Sequence, residues 1–319
     1  MATSDAAELG RRLREGDRAA APAALNLIED RSPGNRDAAA ALLAEVSPEA
    51  LGGEAPAHVI GVTGPPGAGK SSLLSALVAD WRDAGRTVAV LAVDPSSKRS
   101  GGSLLADRAR IEHDPRDDGV LIRSTAAGGR LGGLAGPTRE AAEALAATFD
   151  VVVIETVGVG QSETDVEEVS DTVAVVVQPA SGDVLQFLKA GIMEVPDVLV
   201  VTKADLGDPA LRAQRDLEQA LAALGSRDVP VVAVSSIPPP SGVDELVGAI
   251  DAHRGRLDVA ERRLRCRRLS ALRELTAEHG ERALRALGGR REALRFLAAQ
   301  DEALSVNALV AELERRANA

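Results

Sequence analysis

Residues 64–71 read Gly-Pro-Pro-Gly-Ala-Gly-Lys-Ser, which matches the pattern G-x-x-x-x-G-K-[ST]. The stretch follows a β-branched run that ends at Thr63, and a helical pattern begins near Ser71. This order of strand, glycine-rich loop and helix is the context in which the pattern marks a phosphate-binding loop. The stretch therefore predicts an α/β fold with a nucleotide at the end of a strand.

The residue types of this loop suit the binding of a triphosphate. Glycines allow the backbone to curl so that successive N–H groups point inward at an anion, next to a helix N-terminus. Lys70 can reach the β- and γ-phosphates, and the hydroxyl of Ser71 can ligate Mg²⁺. The expected nucleotide-binding residues of the loop and helix start are Gly64, Pro65, Pro66, Gly67, Ala68, Gly69, Lys70, Ser71 and Ser72.

Outward from the loop, short β-branched runs alternate with helical patterns as far as residue 236. Unbroken apolar strands separated by helices are typical of a mostly parallel sheet that is covered on both faces. The predicted strands are His58–Thr63, Thr87–Val93, Val120–Arg123, Val151–Thr156, Thr172–Val177, Val198–Thr202 and Val229–Val234. The predicted helices between them include Ser71–Asp83, Thr138–Ala147 and Pro209–Leu224. The fold class is α/β, a P-loop NTPase with a mostly parallel sheet flanked by helices.

The two ends of the chain are helical in pattern. Apolar residues spaced by three and four predict three short helices within residues 1–50, and the strand signal vanishes after His253. We expect a helical N-terminal extension at 1–55, a P-loop nucleotide domain at 56–253 and a helical C-terminal arm at 254–319. The arginine-rich stretch Arg262–Arg268 is either a solvated helix face or a docking face for a partner.

Composition narrows the function. The net charge is −11, with no Tyr, three Phe and one Trp, so a nucleic-acid partner is not expected. Cys266, the single cysteine, excludes an internal disulfide and a cysteine-based metal cluster. The N-terminus has no signal-peptide pattern, and the apolar runs are shorter than the roughly 18–20 residues of a membrane span. We expect a cytoplasmic protein with no membrane partner.

A second acidic motif follows the predicted strand 151–156. Residues 151–158 read Val-Val-Val-Ile-Glu-Thr-Val-Gly, in which Glu155 can bind the Mg²⁺ shell and the Gly158 N–H can sense the γ-phosphate. Asp94 ends another strand at the sheet edge where ligands bind in parallel sheets. The predicted catalytic residues are Lys70, Glu155 and Gly158.

The choice of base is indicated by residues 202–205, Thr-Lys-Ala-Asp, which follow a strand. They are similar to the guanine-specificity box Asn-Lys-x-Asp, in which Asp205 accepts from guanine N1–H and N2–H₂ and the Lys203 stem lies along the base. Thr202 replaces the usual Asn. Ser236 and Ile237 resemble the loop whose backbone N–H binds guanine O6. GTP is therefore favoured over ATP.

Several longer strings closely resemble the MeaB/ArgK GTPases, the chaperones associated with methylmalonyl-CoA mutase. They include Glu-Thr-Val-Gly-Val-Gly-Gln-Ser-Glu at 155–163 and Gly-Asp-Val-Leu-Gln-Phe-Leu-Lys at 182–189. The resemblance implies a GTPase that binds GTP/GDP and Mg²⁺, forms a homodimer and assists an adenosylcobalamin-dependent acyl-CoA mutase by gating cofactor loading and protecting the enzyme. It implies metal positions at Ser71, Asp94, Asp107 and Glu155, and switch contacts at Asp183, Gln186 and Lys189.

Slow intrinsic hydrolysis is expected. The glutamine that follows the switch glycine in many GTPases is replaced by Val159, which cannot orient water, and Gln161 stands further on. Other functions stay open: an ArgK-type ATPase or kinase linked to amino-acid transport, a nickel-metallochaperone-like GTPase, or a nucleotide-binding adaptor that does not hydrolyse. Four widely spaced histidines provide little support for the nickel alternative.

Overall fold

Seven strands form one sheet in the computed structural model, which describes residues 1–30, 32–94, 111–126, 136–156, 166–179, 196–226 and 228–317. The strands are β1 His58–Thr63, β2 Val88–Asp94, β3 Val120–Ala126, β4 Val151–Thr156, β5 Thr172–Val177, β6 Val198–Val201 and β7 Val231–Ala233. Their order is β3-β2-β4-β1-β5-β6-β7, and every pairing between neighbours is parallel. The predicted α/β class and parallel sheet are confirmed.

The α-helices number eleven among the described residues. Four helices precede β1 in the chain: α1 Thr3–Arg14, α2 Ala21–Glu29, α3 Pro33–Glu45 and α4 Pro48–Leu51. Three lie between strands and one follows β7: α5 Lys70–Asp83, α6 Gly136–Ala146, α7 Asp208–Leu224 and α8 Val243–Arg256. After it lie α9 Val259–Ala286, α10 Arg290–Ala298 and α11 Val306–Ala317, and α9 is interrupted at Gly280, whose backbone is not helical.

Buried β-branched residues explain why the sheet forms here. Every residue of β1, β4, β5 and β6 is buried, as expected for parallel strands that are covered on both faces. Trp81 of α5 is fully buried in the cluster that these strands share with α5 and α8. The sheet therefore gives the loop after β1 a rigid base.

The described chain divides into two compact units. One holds the sheet and comprises residues 58–138 and 149–257; the other is helical and comprises residues 1–57, 139–148 and 258–319. Inside the helical unit, α9, α10 and α11 bury a cluster of their own that includes Leu275, Leu297 and Leu313. The two chain ends thus share one compact unit.

The prediction of three helices in the first 50 residues is wrong in number. Four α-helices and a 3₁₀ turn at Arg18–Ala20 are present. The additional helix arises because Pro48 opens α4 while the hydroxyl of Ser47 accepts a hydrogen bond from the Ala50 N–H, at 3.3 Å.

Two arginines of the basic stretch 262–268 make contacts inside the helical unit. Arg263 donates to the carbonyl oxygens of Ala55 and Ala57, both at 2.7 Å. Arg267 is buried and pairs with Glu54 at 2.8 Å. These two side chains hold α9 against the segment before β1, so neither the solvated nor the docking interpretation applies to them.

No helix in the described ranges is both long enough and apolar enough to cross a membrane.

Candidate functional site

The loop between β1 and α5 curls because three of its glycines have positive φ. These are Gly64, Gly67 and Gly69, with φ of 147°, 78° and 87°. A Cβ on Gly64 would also lie 2.1 Å from the carbonyl oxygen of Val176 on β5. Only glycine fits there, since any side chain would have to push the loop off the neighbouring strand.

Lys70, the first residue of α5, has only 6% of its surface exposed. Its Nζ donates to the carbonyl oxygens of Gly64 at 2.6 Å and Pro65 at 3.2 Å. The ammonium group thus lies within the curl of the loop, where it can bind a phosphate. Ser71 beside it is half-buried, and Ser72 is exposed.

Glu155 lies at the same edge of the sheet. It is the penultimate residue of β4, is 8% exposed, and stands in register with Val62 of β1 and Ala92 of β2. The next residue, Thr156, donates a buried hydrogen bond from its hydroxyl to that of Thr63, at 2.9 Å. The end of β4 is therefore tied to the residue that precedes the phosphate-binding loop.

The oxygen donors present at this edge suit Mg²⁺. Ser71 offers a hydroxyl at the start of α5 and Glu155 a buried carboxylate two strand positions from the loop, and both are the hard ligands that Mg²⁺ prefers. Asp94 ends β2 at this edge, although its side chain is outside the described part. The sites predicted at Asp107, Gly158, Asp183, Gln186 and Lys189 also lie outside the described residues.

The predicted base-binding residues follow β6 at the same edge. Lys203 has φ of 56°, an uncommon value for a residue with a side chain. Its Nζ donates to Oε1 of Gln178 at 2.5 Å and reaches the carbonyl oxygen of Gly67 at 3.4 Å. The Lys203 side chain therefore spans from β6 to the phosphate-binding loop. Thr202 is buried, and its hydroxyl lies 2.6 Å from the carbonyl oxygen of Ala68.

Asp205 is paired with Ser235, which lies outside the predicted set of base-binding residues. The hydroxyl of Ser235 donates to Oδ1 of Asp205 at 3.0 Å and accepts from the N–H of Ile237 at 3.3 Å. The N–H of Ile237, one of the two residues predicted to bind guanine O6, is therefore engaged by Ser235. The first serine after β7 was the available signal, one position before the predicted pair.

A family model and several known proteins are similar in sequence to this chain. A family model described as "Methylmalonyl Co-A mutase-associated GTPase MeaB" matches residues 21–287. A Pyrococcus horikoshii protein named as a GTPase is 46% identical over 199 residues, which are 62% of this chain and 60% of that protein. A Caenorhabditis elegans protein named "Methylmalonic aciduria type A homolog, mitochondrial" is 42% identical over 224 residues, 67% of this chain and 55% of its own length.

Among solved structures, "LAO/AO transport system kinase" is similar with a TM-score of 0.67 and 29% identity, over 100% of this chain and 99% of that one. The alignments with the Pyrococcus and Caenorhabditis proteins span less than two thirds of the length of either relative.

Proposed function

Because the chain belongs to the MeaB family of methylmalonyl-CoA mutase-associated GTPases, we propose that it hydrolyses GTP to GDP and phosphate as a chaperone of an adenosylcobalamin-dependent acyl-CoA mutase. In this role it gates cofactor loading and protects the mutase from inactivation. The proposal includes a homodimer and a cytoplasmic location.

The observation that carries the proposal is the convergence of two kinds of recognition on one sheet edge. The loop 64–71 supplies a curled backbone and the buried Lys70 ammonium for phosphates. Asp205, held by Ser235, supplies a carboxylate that matches the N1–H and N2–H₂ groups of guanine. Adenine cannot offer these donors, so an ATP complex would leave the Asp205 carboxylate without its partners.

Hydrolysis requires neutralisation of the γ-phosphate and a positioned water. Lys70 and the loop amides supply positive charge, and the Ser71 hydroxyl and Glu155 carboxylate would hold Mg²⁺ directly or through water. When bound, that ion withdraws charge from the β- and γ-oxygens. Valine follows the switch glycine in the sequence, so this chain lacks a glutamine there to orient water. We therefore expect slow turnover in isolation and faster turnover with the mutase.

The first experiment measures phosphate release from GTP with and without candidate acyl-CoA mutases. We expect slow release alone and acceleration by one of them, of up to about 10³–10⁵-fold if the partner supplies a polar group. Pull-down from native lysate with a non-hydrolysable GTP analogue identifies that partner. Turnover at tens per second by the isolated protein would contradict the proposal.

A second candidate function is protein phosphorylation, which the likeness to "LAO/AO transport system kinase" favours. The two functions differ in where the γ-phosphate goes. With γ-labelled nucleotide, the chaperone proposal predicts free labelled phosphate, whereas a kinase would transfer the label to a protein.

The nickel-metallochaperone alternative finds little support at the nucleotide site. Among the described residues, the one group with metal-binding geometry is Glu278, His279 and Glu314 in the helical unit, and all three side chains are exposed or half-buried. His279 and Glu314 already pair at 2.8 Å. An exposed ion pair of this kind is common without a metal.

A further inference from the structure

The hydroxyl of Thr202 lies against the phosphate-binding loop. Its Oγ1 is 2.6 Å from the carbonyl oxygen of Ala68 and 3.1 Å from that of Val177, and the side chain is 3% exposed. A hydroxyl has one proton to donate. The shorter contact to Ala68 therefore takes the stronger hydrogen bond, and no donor is left on Thr202 for another group.

This hydrogen bond fixes the orientation of one peptide unit in the loop. In a planar trans peptide the C=O of Ala68 and the N–H of Gly69 point in opposite directions. Since the Ala68 carbonyl faces Thr202, the Gly69 N–H faces away from it. The Ala68 N–H donates to the Pro65 carbonyl at 3.2 Å, so the turn on the other side of Ala68 is held as well.

Packing supports the same arrangement. A Cβ built on Gly69 would lie 3.7 Å from both Cβ and Oγ1 of Thr202, so the two residues are close neighbours without strain. Gly69 has positive φ and immediately precedes Lys70. The peptide that Thr202 holds is thus the one that leads into the lysine.

We propose that Thr202 is a positioning residue that turns the Gly69 N–H toward the β-phosphate of the nucleotide. The inference rests on the proposed nucleotide-binding function and deepens it. It assigns Thr202, which stands where the guanine box usually has Asn, to phosphate binding rather than to contact with the base. Because Lys203 and Asp205 follow on the same segment, base and phosphate sites share one anchor.

The test compares nucleotides of different phosphate number. Equilibrium binding of GTP, GDP and GMP is measured for the wild type, Thr202→Val and Thr202→Ser. Loss of one buried hydrogen bond predicts that Thr202→Val binds GTP and GDP about tenfold more weakly. GMP lacks the β-phosphate, so its affinity should change less than about twofold. Thr202→Ser keeps the hydroxyl and should bind all three nucleotides as the wild type does.

A matched control is Thr125→Val. Thr125 is also buried on a strand of the sheet, but its hydroxyl has no hydrogen-bond partner among the described residues. The same chemical change there should leave all three affinities unaltered. If Thr202→Val does not fold, as judged by circular dichroism and Trp81 emission, Thr202→Ala provides the second hydroxyl-free variant. A separate measurement uses the wild type alone. The NMR chemical shift of the Gly69 amide should change more when GDP binds than when GMP binds.

The outcomes separate the two claims. A wild type that binds none of the three nucleotides contradicts the proposed function itself. A wild type that binds GTP while Thr202→Val loses the same factor for GMP as for GTP assigns Thr202 to the base and overturns the inference. Unchanged GTP and GDP affinity in a folded Thr202→Val protein, or a Gly69 amide that responds equally to GDP and GMP, overturns it as well.

Discussion

The hydroxyl of Ser235 donates a 3.0 Å hydrogen bond to Oδ1 of Asp205 and so joins the loop after β7 to the segment after β6. A carboxylate whose one oxygen is held keeps a fixed orientation, and its other oxygen can then meet a guanine edge in one geometry. The choice of base therefore depends on the Asp205 carboxylate, and the strength of binding on its hydrogen bond to Ser235.

Exchanging the carboxylate of Asp205 for an amide should change the preferred base. Asp205→Asn presents an N–H donor where the carboxylate accepted, which suits the carbonyl oxygen that xanthine carries at C2 in place of the guanine amino group. We expect XTP to bind this variant at least about tenfold more tightly than GTP, in competition titrations at equal Mg²⁺. If the variant keeps the wild-type preference for GTP, Asp205 does not contact the base.

Removal of the Ser235 hydroxyl should weaken binding without changing the preference. Ser235→Ala leaves the Asp205 carboxylate present but free to rotate, which predicts about a fivefold loss of GTP affinity. The ratio of GTP to XTP affinity should stay in favour of GTP, in contrast to Asp205→Asn. If Ser235→Ala bound XTP more tightly than GTP, the serine itself would determine which base is bound.

A chain of hydrogen bonds at the amino edge of the sheet gives the protein a pH dependence. Nε2 of His58 lies 2.7 Å from the Thr172 hydroxyl, which lies 2.8 Å from Nδ1 of His253. Nε2 of His253 lies 3.2 Å from Asp197. If Nε2–H of His58 donates to Thr172 and the Thr172 hydroxyl donates to Nδ1 of His253, the hydroxyl is satisfied on both sides while His58 is neutral.

Burial lowers the pKa of His58 below its ordinary value, and nearby Asp251 and Asp171 only partly offset this effect, while Arg254 adds to it. Below about pH 6.5, His58 therefore binds a proton more readily in the unfolded chain than in the folded protein. The free energy of unfolding should fall as the pH falls through this range, by at most about 1.4 kcal/mol per pH unit from this group.

Urea unfolding at pH 7.5 and pH 5.5 measures that loss. His58→Gln keeps an N–H near the position of Nε2 but does not titrate, so its free energy of unfolding should fall less between the two pH values than that of the wild type. Equal losses in both proteins would remove His58 as the source of the pH dependence.

Arg139 of α6 should be the most costly arginine to remove from the helical unit. It is buried and contacts Glu143 at 2.8 Å, Glu274 at 2.5 Å and Glu140 at 3.7 Å. Burial alone would lower the pKa of Arg139, but the three carboxylates raise it on balance, so the guanidinium stays charged.

Arg139→Met leaves those carboxylates without their cation, which predicts a loss of about 3–5 kcal/mol in the free energy of unfolding. Arg295 pairs with Glu292 on an exposed surface, so Arg295→Met is the control and should change the value by less than about 1 kcal/mol. Urea titrations followed by circular dichroism measure both. Equal effects of the two substitutions would show that burial of the Arg139 cluster does not matter.

The sheet and the phosphate-binding loop could be predicted because their signals are local. β1, β4 and β5 have the predicted boundaries, since each is a short β-branched run whose limits are visible in the sequence. Lys70 lies in the curl of the loop because the glycines before it adopt the positive φ values that the curl requires.

Contacts between distant segments could not be predicted from the pattern. The Ser235 contact joins positions 30 residues apart, and the place of Ser235 directly before the predicted pair 236–237 does not identify its partner. Arg267 pairs with Glu54 across 213 residues, whereas the sequence around it is typical of an exposed helix face. In the sequence, Thr202 is only a replacement for the usual Asn of the guanine-specificity motif. Its contact with Ala68 is visible in the fold alone.

GTP binding and hydrolysis both require that the loop around Lys70 binds the triphosphate of a guanine nucleotide. Isothermal titration of the wild type and Lys70→Ala with GTP and ATP in the presence of Mg²⁺ tests it most directly. We expect at least about tenfold preference of the wild type for GTP and at least about a hundredfold loss of GTP affinity in a folded Lys70→Ala protein. Retention of wild-type GTP affinity by that variant, or equal affinity of the wild type for ATP, would contradict it.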